Sequence, residues 1–199
     1  MQGKFIAVEG IDGSGTTTFI NNVKIILEKE GYRVHVTCEP SSHPAGKYIR
    51  ERLQDHKSDN TIFALLFAAD RLIHYREEIV PALNNGFIVI SDRYKISSFA
   101  YQGVTEDLQW VKLLNSKAPD PDLTLFIDVD PQEGDRRITK RGATRDVLEN
   151  LSFQGKVHQL YLNLVKSFPE VITLDGNAEP DILANQGYNY IKPLIEEMI

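Results

Sequence analysis

Gly10 and Gly15 stand with four residues between them and with Thr16 and Thr17 directly after, in the stretch EGIDGSGTTT from Glu9 to Thr18. A buried-strand pattern, KFIAVEG, precedes it and a helical pattern, TTTFINNVKIILEKEG, follows. That is the context of a phosphate-cradling loop. Its glycines allow backbone angles that aim successive N–H groups inward, and the helix N-terminus adds its positive dipole end. Thr17 stands where a hydroxyl ligates Mg²⁺. Thr16 breaks the pattern, because such a loop carries lysine there and a neutral hydroxyl cannot place a charge on transferring phosphates. An uncompensated loss would cost on the order of 1.5–3 kcal/mol, about ten- to a hundredfold in rate.

Other residues gather chemistry of the same kind. Phe67, Arg71 and His74 in LLFAADRLIH fall at i, i+4 and i+7, one face of a helix. A ring beside a guanidinium can stack a planar base and donate to its edge; the plainer reading makes Phe67 core and Arg71 a surface ion pair, with His74 structural. In SDRY, Asp92 can hold Mg²⁺ through water and Arg93 can grip a phosphate, or the two can simply pair to close a turn. Tyr101 in SSFAYQG is a packing residue or the floor of a sugar pocket. Arg136, Arg137, Lys140, Arg141 and Arg145 crowd into ten positions of an otherwise acidic chain. Such a run is a solvated face or, in phosphoryl transfer, a mobile segment that neutralises transition-state charge. Cys38, the single cysteine, has no matching partner nearby and is expected to be buried and inert.

The elements that must position these residues alternate between short apolar runs and longer helical ones. Strands are expected at KFIAVEG, YRVHVTCE, FIVISDRY, DLTLFIDV and EVITLD. Helices are expected at PAGKYIRERLQ and DNTIFALLFAADRLIHYREEIVPALNNG, the latter as one long helix capped by Asp59 or Asn60, and later at QEGDRRITKRG, SFQGKVHQLYLNLVKSF and PDILANQGYNYIKPLIEEMI. Strand alternating with helix implies an α/β fold with a parallel sheet covered on both faces. Ligands then bind beyond the carboxyl ends of the strands, where EGIDGSG, CEPSSHPAG, SDRY and DVDP all fall.

Length and composition, 199 residues with 42% hydrophobic and 25% charged, suit one globular domain over 1–199 with a small mobile lid near 139–152. A net charge of −6 argues against a general grip on nucleic acid. One cysteine fits a reducing compartment, and neither a leader nor a membrane span is read from the sequence, so a cytoplasmic protein is expected.

The ordered set EGIDGSG…T, EPSSHPAGKYIRE, LLFAADRLIH, SDRYKISSFAYQG and PDLTLFIDVDPQEGDRRI, followed by a basic segment, resembles the thymidylate kinases over essentially the whole chain. The resemblance implies a three-layer P-loop NTPase fold with a five-stranded parallel sheet and a lid. It implies phosphoryl transfer from ATP, with Mg²⁺, to dTMP. Gly10, Ile11, Asp12, Gly13, Ser14, Gly15, Thr16 and Thr17 would cradle the ATP phosphates, and Asp12 would also face the 3′-hydroxyl of the acceptor sugar or its metal waters. Phe67 would stack the thymine, Arg71 donate to its edge, and Ser97 and Ser98 line the base pocket. Arg93, helped by Arg50, would hold the acceptor phosphate, with Tyr101 under the deoxyribose. Glu9, Asp92 and Thr17 would organise Mg²⁺. The strand-end motif CEPSS lacks the arginine many relatives carry before Glu-Pro, so Glu39 carries over only weakly. With no arginine in the loop, charge would come from the lid, through Arg141 or Arg145. A homodimer is implied by the resemblance alone. Two readings stay open beside an active kinase: a nucleotide-binding protein without turnover, and a kinase for another nucleoside or monophosphate such as dUMP.

Overall fold

The computed structural model describes residues 2–55, 59–142, 148 and 150–196, with Arg141 described in its backbone only. Five strands, β1 (Lys4–Gly10), β2 (Val34–Cys38), β3 (Ile88–Asp92), β4 (Leu123–Asp128) and β5 (Val171–Asp175), form one sheet in the order β2-β3-β1-β4-β5. Every neighbouring pair is parallel, with Ala7 opposite Ser91 on one side and Val8 opposite Leu125 on the other. The strands read as continuous apolar runs because both faces are buried, and side chains alternate between the faces. Ile6, Val8, Ile88, Ile90, Leu125 and Ile127 meet helices α1 (Thr16–Lys29) and α9 (Pro180–Glu196) through Phe19, Val23, Leu27, Leu183 and Ile191. On the opposite face Phe126 packs with Phe99, Ala100, Val157 and Tyr161, and Phe5, Ala7 and Val89 pack with Ile79 and Tyr94. The result is the expected three-layer α/β fold.

Helices α2 (Pro44–Gln54), α7 (Pro131–Arg141) and α8 (Leu151–Ser167) match the sequence expectation closely. The long helix does not stay uniform. It runs as α3 (Asn60–His74), widens to a π turn at Tyr75–Ile79 and resumes as α4 (Val80–Asn84). Pro81 explains the break, since it has no N–H and its ring crowds the carbonyl four residues back. Asp59 is the cap, accepting from Thr61 N at 2.7 Å. Two helices were not anticipated: α5 (Lys95–Tyr101) and α6 (Leu108–Leu114), seven residues each. Segments that short are held by packing rather than propensity, although Asp107 accepting from Trp110 N at 2.8 Å is a cap signal that could have been read.

From β1 the chain crosses to β2 and β3 on one side, and later to β4 and β5 on the other. That reversal opens a crevice at the carboxyl end of β1, where the Gly10–Thr17 loop begins. Of the expected lid, 139–152, residues 139–141 end α7 and 151–152 begin α8, while 143–147 and 149, with Arg145 among them, lie outside the described residues. No helix among the described residues is long and apolar enough to cross a membrane.

Candidate active site

The loop after β1 turns tightly because its glycines sit where side chains cannot. Gly15, the residue before α1, has φ 96°. A Cβ on Gly13 would lie 2.3 Å from the carbonyl oxygen of Gly134 in α7, so that helix rests directly on the loop. Ser14 N donates to Ile11 O at 3.1 Å, and Ser14 Oγ is buried without a partner among the described residues. Around the loop lies a cavity of about 360 Å³ lined by Ile11, Asp12, Gly13, Gly15 and Thr16–Thr18, with Cys38, Glu39, Asp92, Arg93 and Arg137 as the remaining wall. Thr17 Oγ1 donates to Asp92 Oδ2 at 2.8 Å, placing a hydroxyl and a carboxylate together at its edge. Two hard oxygen donors beside a phosphate cradle fit Mg²⁺, which keeps waters and phosphates as its other ligands.

A second cavity, of about 100 Å³, adjoins the first and shares Asp12, Glu39 and Arg93 with it. Pro40, Leu53, Phe67, Arg71, Ser97, Ser98, Tyr101, Gln102 and Leu148 complete its wall. Arg93 stands at the junction. Its φ of 75° is left-handed, a conformation that costs a side-chain-bearing residue on the order of 1–3 kcal/mol. Arg93 N donates to Val8 O at 2.8 Å and Ser91 Oγ donates to Arg93 O at 2.8 Å, which together hold the backbone there. The guanidinium reaches Gly10 O at 2.7 Å, Ser97 Oγ at 3.3 Å and Asp12 Oδ1 at 2.6 Å, and lies 4.9 Å from the Tyr101 ring centroid. Burial by itself lowers its pKa, but Tyr101 and Asp12 raise it well above the ordinary value, so it stays charged. Asp92 and Arg93 therefore do not pair with each other to close a turn. One turns to Thr17 and the other to Asp12.

Arg71 is buried at 1% exposure and its donors are nearly all engaged. Nε meets Glu39 Oε2 at 2.9 Å, Nη2 meets Tyr94 O and Ser98 Oγ at 3.0 Å each, and Nη1 bonds Asn115 Oδ1. Glu39 also receives His74 Nδ1 at 3.2 Å, while His74 Nε2 lies 2.7 Å from Thr37 Oγ1. His74 is fully buried and lines neither cavity, in keeping with a structural role. Glu39, only weakly expected, is central here.

Gln154 was missed. Its Nε2 donates to Asp12 Oδ2 at 2.6 Å and to Leu148 O at 2.7 Å, while Asp12 N donates to its Oε1 at 3.2 Å. Tyr101 OH donates to the same Oε1 at 3.5 Å, its hydroxyl kept protonated because burial raises its pKa. The readable signal was a glutamine on the face of α8 that otherwise buries Val157, Tyr161 and Leu164.

Some expected residues stand elsewhere. Glu9 is fully buried and accepts from Tyr94 N at 3.1 Å, from Tyr161 OH at 3.2 Å and from the Ser97 hydroxyl. Burial pushes its carboxyl above the ordinary range, against the hydrogen bond from Ser97, and it does not join Thr17 and Asp92. Arg50 donates to Ser41 O at 2.6 Å and to Pro40 O, and lines neither cavity. Cys38 is exposed rather than buried, since β2 is an edge strand and its last residue faces the loop cavity. Its thiol pKa is raised, first by desolvation, which leaves it a weak nucleophile. The Arg141 side chain and all of Arg145 lie outside the described residues.

The thymidylate kinase family profile matches residues 8–186. A probable thymidylate kinase of Pyrobaculum aerophilum is 43% identical over 195 residues, covering 96% of this chain and 97% of its own. A thymidylate kinase of Caldanaerobacter subterraneus is 42% identical over 189 residues, covering 90% of each, and a probable thymidylate kinase of Pyrococcus horikoshii is 42% identical over 178, covering 86% and 87%. With the phosphate loop, the adjoining aromatic and arginine-walled cavity and these relatives in agreement, the chain belongs to the thymidylate kinase family of phosphotransferases.

Proposed function

We propose that this enzyme transfers the γ-phosphoryl group of ATP to dTMP, giving dTDP and ADP. The observation that carries the reading is the pair of adjoining cavities joined at Asp12, Glu39 and Arg93, one built around a phosphate loop and the other around a ring and a guanidinium. ATP phosphates occupy the Gly10–Thr17 loop. In the smaller cavity Phe67 stacks the thymine and Arg71 donates to its edge from Nη1, while Ser97 and Ser98 border the base. Arg93 holds the acceptor phosphate at the junction of the two. Tyr101 floors the deoxyribose, and Asp12, oriented by Gln154, faces its 3′-hydroxyl.

The nucleophile is a phosphate oxygen that is already anionic, so no strong base is needed. Catalysis is alignment plus charge neutralisation. Thr17 and Asp92 are the residues that would hold Mg²⁺, which when bound neutralises charge on the transferring phosphates. Arg141 and Arg145 deliver further positive charge from the lid as transfer proceeds.

A coupled ADP-release assay with ATP, Mg²⁺ and dTMP tests the reading. Turnover well above background, with dTMP preferred over thymidine and dUMP, is the expected result. Protein that binds dTMP yet shows no turnover would overturn it in favour of a nucleotide-binding protein without activity.

A further inference from the structure

Thr16 leaves the phosphate loop without its own cation, yet the loop cavity has basic side chains in its wall. Among the described residues these are Arg93 and Arg137. Arg93 is committed to Asp12 and Gly10 O, at the junction with the acceptor cavity. Arg137 is on the other side, and the packing of α7 puts it there. Gly134 lies against the loop backbone, where a Cβ added to it would come 2.7 Å from Asp12 O. Arg137 follows three residues later on the same helical face, over Ser14 and Gly15.

Its guanidinium is held in place on three sides. Nε donates to Glu133 Oε1 at 2.7 Å, Nη1 to Ser14 O at 3.3 Å and Nη2 to Gly176 O at 3.1 Å. Nη1 would be 3.7 Å from a Cβ on Gly15, the residue directly before Thr16. A guanidinium has five N–H groups, so each Nη keeps one beyond these three bonds. The side chain is 32% exposed, open to the cavity it lines. Glu133 does not cancel its charge, because the same carboxylate also takes Arg136 Nε at 2.7 Å and Nη2 at 2.9 Å. Two guanidiniums share one carboxylate, which leaves a net positive charge beside the loop.

We propose that Arg137 is the resident cation for the ATP phosphates, supplying from α7 the charge that Thr16 does not. The proposal rests on the ATP-binding part of the reading above and concerns a residue of the helix body, distinct from the lid positions Arg141 and Arg145. It differs from a purely structural role, in which Arg137 would only clip the loop at Ser14 to the β5–α9 turn at Gly176.

The test measures ATP and ADP affinity by calorimetry without dTMP, alongside kcat and both KM values, for Arg137→Gln, Arg137→Lys, Thr16→Lys and the double variant Arg137→Gln/Thr16→Lys. Arg137→Gln should weaken ATP binding by about ten- to a hundredfold, the size expected for loss of a hydrogen bond to a charged group, and leave dTMP affinity nearly unchanged. Arg137→Lys keeps the charge without the fork and should retain most of the affinity. Adding Thr16→Lys to Arg137→Gln should restore most of what was lost, whereas Thr16→Lys alone should gain little. Unchanged ATP affinity in Arg137→Gln overturns the proposal. So does a loss that neither lysine variant relieves, which is the signature of a clip. Because affinity is read without turnover, failure here is distinct from failure of the dTMP assignment, which the wild-type assay reads.

Discussion

The two halves of the crevice are built on opposite plans. Around the smaller cavity, proposed above for the acceptor, Arg71, Glu39, His74, Ser98 and Asn115 form a buried polar network in which each charge already has its partners. At the phosphate loop, proposed above for ATP, the chain presents backbone N–H groups, threonine hydroxyls and partly exposed arginines around a cavity more than three times larger. On the proposed assignment this smaller wall reads a base edge, a task for fixed donors whose rotamers cannot drift, and its bonds are already made before any ligand arrives. A phosphate chain is recognised mainly by charge and by N–H groups, and charge acts over distance. One lysine can therefore be absent from the loop if a guanidinium from a neighbouring helix stands within reach. No such exchange is open to Arg71, whose partners come from several separate elements.

The contrast can be broken most severely at Glu39. Glu39→Ala leaves the Arg71 guanidinium buried without its carboxylate, and we expect a loss of about 3–5 kcal/mol in urea unfolding. A loss under about 1 kcal/mol, within the range of an ordinary hydrogen bond, would show that the acceptor wall is not the rigid unit described. Phe67 sharpens the contrast in binding. Phe67→Ala removes a stacking face and should weaken dTMP affinity about five- to a hundredfold while ATP affinity changes little. Equal losses for both nucleotides would show that the two cavities are not independent.

The smallest effect is expected at Glu9, fully buried near the end of β1. Its pKa is raised in the folded protein, chiefly by burial. An acid so shifted favours folding below its unfolded pKa, and that contribution is lost as pH rises through the folded value. Glu9→Gln keeps an acceptor for Tyr94 N and places an amide against Ser97 and Tyr161, so it should relieve the cost of ionisation. The melting temperature of Glu9→Gln relative to wild type should therefore climb between pH 4 and pH 8. A flat difference across that range would mean that the carboxyl ionises without penalty.

Much of this was readable along the chain. The glycine spacing, the apolar strands and the Phe67–Arg71 face are local patterns, and the structure keeps each of them. Glu9 was misleading because its place at a strand end suggested the metal, while strand alternation turned its side chain into the interior toward Ser97 and Tyr161. Cys38 is exposed against the expectation of a buried thiol, because strand pattern does not tell an edge strand from a central one and β2 is an edge. The single long helix could not be read correctly from periodicity, which a π turn shifts by only a fraction of a turn.

By itself the sequence determined where the phosphate loop lies, which helix face carries the ring and guanidinium, and that five strands alternate with helices. All three follow from backbone preference and short-range spacing. Only the tertiary structure decided that Gln154 orients Asp12 across 142 residues, that Glu39 rather than solvent receives Arg71, and that Arg137 overlooks the loop. Those pairings depend on how helices rotate and settle against the sheet. Packing sets that rotation through contacts such as Gly13 against Gly134, between residues far apart in the chain.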